Sequence, residues 1–272
     1  MTAPSNSQTH PMISVVTVNY NTAHHVLRCL ETLSVDTHPR IDRVVIVDNA
    51  SSDDSKVQLS QLSEHVQLEW NSENIGFGRA NNQAMEHVDS PFVCFINPDV
   101  RLTDKSLSSM VSYLETNPEV AAVGCAMVSR DGEVAAESFR YEPTKTASIA
   151  KYLHIPKAVR RALGMPDYYM GFDKVNDQKD PVDVEILSGA CMVLRVDAFR
   201  EVGGFDPDFF LYWEDTDLSV RLRQKGWKLR VLPSIEAIHF KTSSQSRQSL
   251  QFWLQFGRSM RLYFQKRAQQ RQ

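Results

Sequence analysis

The apolar run Phe92 to Ile96 leads straight into Asn97-Pro98-Asp99, and a carboxylate delivered there could hold a metal-bound diphosphate. Five apolar residues bounded by turn formers suit a parallel strand covered on both faces. In open α/β sheets, ligands gather beyond the carboxyl ends of such strands. Pro98 removes a backbone donor and ends the ladder, so Asn97 and Asp99 fall on a bend. The same tripeptide also reads as an ordinary turn.

Other strand ends carry related chemistry. Val47 leads into Asp48-Asn49-Ala50-Ser51-Ser52, where a carboxylate could accept the imide N–H of uracil or thymine, or a ribose hydroxyl. Asp48 or Ser52 could equally cap a helix. Asn74-Ile75-Gly76-Phe77-Gly78-Arg79 is polar and glycine-rich, as close backbone approach to a ligand would require. Arg79 near a helix start could pair with a phosphate or simply face water.

The densest acidic cluster follows Phe209-Phe210-Leu211-Tyr212-Trp213: Glu214, Asp215 and Asp217 lie within four residues. Acids at a helix N-terminus suit its macrodipole, so capping would account for them. A carboxylate kept ionised in an apolar rim could also take a proton from a sugar hydroxyl, with Trp213 as a stacking face for an acceptor ring. His239 closes an apolar strand and reads either as structural or as a metal ligand.

These positions need a scaffold of alternating strands and helices, and the pattern from Ile13 supplies one. Strands are predicted at Ile13–Val18, Arg43–Val47, Val66–Trp70, Phe92–Ile96 and Val120–Val128. Helices fall around Ala23–Ser34, Asp53–Leu62, Gly78–His87 and Lys105–Glu115. That βαβα series implies a mainly parallel sheet with helices on both faces. Around Arg130-Asp131-Gly132 a hairpin returning through Glu133 to Ser138 breaks the winding. Residues 140–181 read as a mobile insertion over the site, with a basic amphipathic patch from Lys151 to Leu163. Strands near Val182–Leu187 and Ala190–Arg195, a helix from Glu214 to Lys225, strands Trp227–Leu232 and Glu236–His239, and a final helix of about 25 residues complete the reading.

With 272 residues, 42% hydrophobic and 23% charged, the chain is expected to form one principal α/β domain over residues 12–240, after a disordered 1–11. No signal peptide and no apolar run of membrane-spanning length is evident, which predicts a cytosolic protein. The four cysteines are dispersed, as in a reduced core. Residues 241–272 hold seven of the 30 basic residues and no acid. That basic amphipathic segment suits a membrane surface, a dimer contact or a cover for the sheet.

Taken in order, Ser14 to Asn21, Val47-Asp48-Asn49-Ala50-Ser51, Asn74-x-Gly76-Phe77, Asn97-Pro98-Asp99, Gly203-Gly204-Phe205-Asp206 and Trp213-Glu214-Asp215-x-Asp217-Leu218 resemble glycosyltransferase family 2, above all its rhamnosyltransferase-like branch. The resemblance implies a GT-A fold, Rossmann-like with a mainly parallel mixed sheet, and inverting transfer from a nucleotide-diphosphate sugar with Mg²⁺ or Mn²⁺. It implies Val18, Tyr20 and Asp48 around the nucleobase, with Asn74, Arg79, Asn97 and Gly189 also on the donor. Asp99 and His239 would hold the metal, Asp215 would be the base with Glu214 beside it, and Trp213 and Asp217 would meet the acceptor. Asn97 departs from the usual Asp-x-Asp.

The implied donor is dTDP-rhamnose, or a UDP sugar. The implied acceptor is a lipid-diphosphate-linked glycan at the inner membrane face, reached by a peripheral protein, possible as a homodimer, with no nucleic-acid partner. Two other readings compete. A sugar-phosphate nucleotidyltransferase would need a basic glycine-rich loop after the first strand, and Asn19 to Ala23 has none; a non-catalytic nucleotide-sugar scaffold would not need Glu214-Asp215.

Overall fold

In a computed structural model of the chain, the residues described are 12–63, 65–129, 131, 138, 140–165, 179–240 and 250–270. The predicted N-terminal tail and most of the Glu133–Ser138 return strand lie outside them. The first half is the expected winding. Strands β1 (Ile13–Asn19), β2 (Ile41–Asp48), β3 (Val66–Trp70) and β4 (Phe92–Ile96) pair in parallel in the order β3-β2-β1-β4. Helices α1 (Ala23–Thr32), α2 (Ser55–Leu59) and α3 (Phe77–Ala84) connect them. All of β1 is buried because its side chains alternate between two cores. Ile13 and Val15 meet α1 and α4 (Asp104–Thr116), whereas Val16 and Val18 lie in the core that α3 enters.

The second half mixes directions, as the break after Val128 predicts. Strand β5 (Val100–Arg101) follows the Asn97 bend, and β6 (Val120–Val128) is buried throughout. Strand β8 (Cys191–Arg195) inserts antiparallel between β4 and β6. The chain's last strand, β9 (Lys228–His239), runs parallel to β6 and antiparallel to β5 and to β7 (Val182–Asp183). Two strands were expected in place of β9. The single strand instead absorbs a register shift against Cys125 and Ala126, where Pro233 has no N–H for a ladder.

Helices α5 (Lys145–Tyr152) and α6 (Lys157–Ala162) occupy the expected insertion, followed in sequence by α7 (Val196–Glu201) and α8 (Glu214–Gln224). Helix α9 spans Leu250–Gln269. Phe252, Phe256, Ser259 and Tyr263 form its buried stripe, at the three- and four-residue steps that share a helix face. Phe256 and Tyr263 join Phe209, Trp213 and Val220 in a third core. The inner face of the basic tail therefore covers the protein. Leu250 and Leu254, 74% and 48% exposed, and the exposed Arg258 and Arg261 form the opposite stripe.

Candidate active site

The carboxyl ends of β1 and β2 are laced by one polar network. Asn19 donates from Nδ2 to Asp48 Oδ2 at 2.7 Å and to Ser51 Oγ at 3.1 Å, while the Ser51 backbone N–H donates to Asp48 Oδ1 at 2.9 Å. Asn21, in a left-handed conformation (φ 56°), accepts from the Ser52 and Asp53 N–H groups at 2.8 and 3.3 Å. Neither Asp48 nor Ser52 caps α2, whose N-cap is Asp54. Val18 is buried and Tyr20 is 39% exposed, so this end offers an apolar floor, a fixed carboxylate and an exposed ring.

The glycines of the next loop serve the protein itself. A Cβ on Gly76 would lie 2.4 Å from the Phe210 carbonyl oxygen, and the same carbonyl accepts the Phe77 N–H at 2.9 Å. Gly78 abuts Phe205. The expected approach of backbone to ligand is thus an approach of the loop before α3 to the loop before α8. Asn74 Oδ1 accepts the Gly76 N–H at 3.0 Å, and Arg79 Nε donates to the Pro207 carbonyl at 2.6 Å. Both side chains fasten this junction.

Beyond β4, the Asn97 N–H donates to the Ala190 carbonyl at 2.8 Å. Pairing of Val100 with His239 across β5 and β9 draws the end of the chain's last strand to the bend, and His239 Nε2 comes to rest 3.4 Å from Asp99 Oδ1. Adjacent corners of an octahedron with bonds of about 2.1 Å stand about 3 Å apart, so this spacing suits two ligands of one small cation. Asn97 Oδ1 is buried with no hydrogen-bond partner among the described residues. Among them no third His, Cys, Asp or Glu completes a cluster. The set fits a divalent cation that would complete its shell with oxygens from a bound ligand and water.

Helix α8 begins in strained backbone. Tyr212 (φ 66°) and Trp213 (φ 73°) are consecutive left-handed aromatics, a conformation costing about 1–2 kcal/mol per residue that persists only where its surroundings hold it. Trp213 is 2% exposed, with ring centroids 5.7 Å from Phe256 and 5.1 Å from Tyr263; Ser259 Oγ donates to the Leu211 carbonyl at 2.8 Å. The expected stacking face is therefore spent on α9, fifty residues away, and the exposed ring of this loop is Phe210. Asp217 is likewise engaged within the protein. Buried and bonded to Arg221 at 2.6 Å, it anchors a guanidinium that also holds the Val202 and Gly204 carbonyls at 2.6 and 2.7 Å.

Asp215 stands at the first turn of α8 with its carboxylate fully bonded. Oδ1 accepts from the Thr216 N–H at 2.6 Å and from Thr216 Oγ1 at 3.2 Å; Oδ2 accepts from the Gly189 N–H at 3.0 Å and from Arg140 Nη2. Beside it Glu214 is 6% exposed, with Oε2 lacking a partner among the described residues. Burial, and then the charge of Asp215, push the Glu214 carboxyl well above its ordinary range. Arg140 was not among the candidates read from sequence. It sits in the least regular stretch, and its partner is 75 residues away.

Residues 14–203 match the family described as Glycosyl transferase family 2. The N-acetylglucosaminyl-diphospho-decaprenol L-rhamnosyltransferase of Mycobacterium tuberculosis is 28% identical over 247 residues, 87% of this chain and 78% of that protein. Rhamnosyltransferase WbbL of Escherichia coli K12 is 27% identical over 246 residues, 84% of this chain and 83% of its own length. Among solved structures, mannosyltransferase PcManGT from Pyrobaculum calidifontis, in complex with GDP-Man and Mn²⁺, superposes with a TM-score of 0.63 at 17% identity. GalNAc-T7 with UDP, GalNAc and Mn²⁺ gives 0.63 at 12%. The matches take in 96% and 94% of this chain but 65% and 48% of those two. The fold is GT-A, and the chain belongs to glycosyl transferase family 2 and is a glycosyltransferase.

Proposed function

We propose that the protein is an inverting transferase that moves L-rhamnose from a nucleoside-diphosphate donor, dTDP-rhamnose or a UDP counterpart, to a hydroxyl of a lipid-diphosphate-linked glycan. The observation that carries this reading is the joining of two carboxylate centres at one end of the sheet. The Asn97 N–H to Ala190 carbonyl bond and the Gly189 N–H to Asp215 bond link the Asp99–His239 pair to the base within one turn of chain. The rhamnosyltransferase names of relatives matched over most of their length support the sugar, and one of those names supports the lipid-diphosphate acceptor.

In the proposed mechanism Val18, Tyr20 and Asp48 hold the base, with Asp48 accepting an imide N–H. Asp99 and His239 would hold Mg²⁺ or Mn²⁺, which when bound offsets negative charge on the departing diphosphate. Asp215 takes the proton from the acceptor hydroxyl as its oxygen attacks the anomeric carbon from the opposite face. One displacement inverts that centre and asks for no protein nucleophile.

The lipid acceptor calls for access to a membrane surface. Leu250 and Leu254 on α9, with Ile149 on α5 and Leu153 just past it and Val159 on α6 and Leu163 just past it, are large exposed apolar residues, and Lys145, Arg161, Arg258 and Arg261 on these helices are exposed cations. Apolar residues with a basic surround suit an anionic lipid interface. The proposed attachment is peripheral, at the inner face; no helix among the described residues is long and apolar enough to cross a membrane.

Thermal shift against dTDP-, UDP- and GDP-sugars, with and without Mn²⁺, followed by nuclear magnetic resonance of the product anomer, tests the reading. Stabilisation by a dTDP or UDP sugar and an inverted product are expected. Stabilisation by none of them would contradict it.

A further inference from the structure

An ionised carboxylate has about four lone-pair sites, and all four of Asp215 are filled within the protein. A base so bonded cannot receive a hydroxyl proton until one donor leaves. The Thr216 and Gly189 N–H groups are fixed by backbone, and the Thr216 hydroxyl, at 3.2 Å, is the longest of the other contacts and is itself within reach of Arg140. Arg140 is a long side chain, about an eighth exposed, that also bonds the Leu187 carbonyl at 3.0 Å and Thr216 Oγ1 at 3.4 Å. A guanidinium pairs bidentately with phosphate oxygens as it does with carboxylates, so a phosphate competes with Asp215 for it. The loop holding Asp215 is bonded at Ala190 to Asn97, next to the end of the site that the diphosphate would occupy.

We propose that Arg140 is a donor-sensing latch: it closes the Asp215 carboxylate in the empty enzyme and moves to the donor's diphosphate on binding, which opens the base to the acceptor hydroxyl. The inference rests on the nucleoside-diphosphate reading above. Arg140 is on this account a positioning residue. It makes the acceptor's proton transferable only when a donor is present.

Because Asp215 and the diphosphate compete for one guanidinium, removing the base charge should tighten nucleotide binding. Calorimetric titration of the full chain with UDP, dTDP and GDP in Mn²⁺ reads this directly, with the nucleoside monophosphates as controls. Asp215→Asn is expected to bind the preferred diphosphate about three- to thirtyfold more tightly than wild type, and the gain should vanish in an Arg140→Gln background. Arg140→Lys, which keeps the charge without the fork, should retain part of it. An affinity that Asp215→Asn leaves unchanged or weaker overturns the latch, as does a gain that persists without Arg140, the mark of simple charge repulsion. Should no diphosphate bind the wild type, the donor reading falls and the latch with it; binding without the coupling sinks the latch alone.

Discussion

Asn97 and Ala190 share a 2.8 Å backbone hydrogen bond, and that bond ties together the two ends of the candidate site. The residue before Ala190 gives its N–H to Asp215. Chemistry that needs a leaving group at Asp99 and a proton acceptor at Asp215 gains from such fixing, since a small misplacement of reacting groups lowers rates steeply.

Gly189 is the sensitive point of that link. A Cβ there would stand 3.2 Å from Asp215 Cβ, so Gly189→Ala must push the base or the loop aside. Turnover is expected to fall about 10- to 100-fold, with nucleotide affinity within about threefold of wild type. Steady-state kinetics beside calorimetry checks the split, and equal loss in both would assign Gly189 to donor binding instead.

The two faces of α9 should separate cleanly. Phe256→Ala removes a buried ring beside Trp213 and is expected to cost about 3–5 kcal/mol in urea unfolding, with turnover falling as the Tyr212–Trp213 turn relaxes. Leu250→Glu with Leu254→Glu alters the exposed stripe. Stability should then move by less than about 0.5 kcal/mol, while flotation with anionic liposomes is lost. Unchanged flotation would leave α9 a cover helix alone.

Much of this was legible in the sequence, for identifiable reasons. The apolar runs of β1, β4 and β6 are buried on both faces, so composition alone outlines them. The acids at Glu214 and Asp215 stood out because packing cannot explain them. The packing of Trp213 was not legible because the covering of its ring depends on α9, far along the chain. The pairing of Asp217 was readable in Arg221, four residues on and on the same helix face. Arg140 was hidden because no local pattern encodes a pair across 75 residues.

Glu214 gives a pH signature. Its carboxyl is pushed from 4.5 up to about 8, by burial first and by the Asp215 charge second. The unfolded chain releases this proton near the ordinary glutamate value, so the folded state holds one more proton between those limits. The contribution to stability is therefore full at low pH and is lost as pH rises from about 4.5 towards 8. Glu214→Gln never ionises, and its melting temperature should gain on that of wild type across this window. A constant difference from pH 5 to pH 8 would mean that Glu214 is ionised throughout.

At the other end, Asp99→Ala removes one of the two facing donors. The Mn²⁺-dependent part of nucleoside-diphosphate binding should weaken about 10- to 100-fold, and His239→Ala should act in the same direction. Calorimetry with and without chelator reads the effect. Binding that ignores both substitutions would move the metal elsewhere.

The central claim is that Asp215 carries the proton chemistry while other residues hold the donor. Transfer by Asp215→Asn, measured with a donor sugar and lipid-linked acceptor at saturating concentrations, tests it most directly. The account predicts a loss of about 100- to 10,000-fold in a protein that still binds the nucleoside diphosphate; undiminished turnover would contradict it.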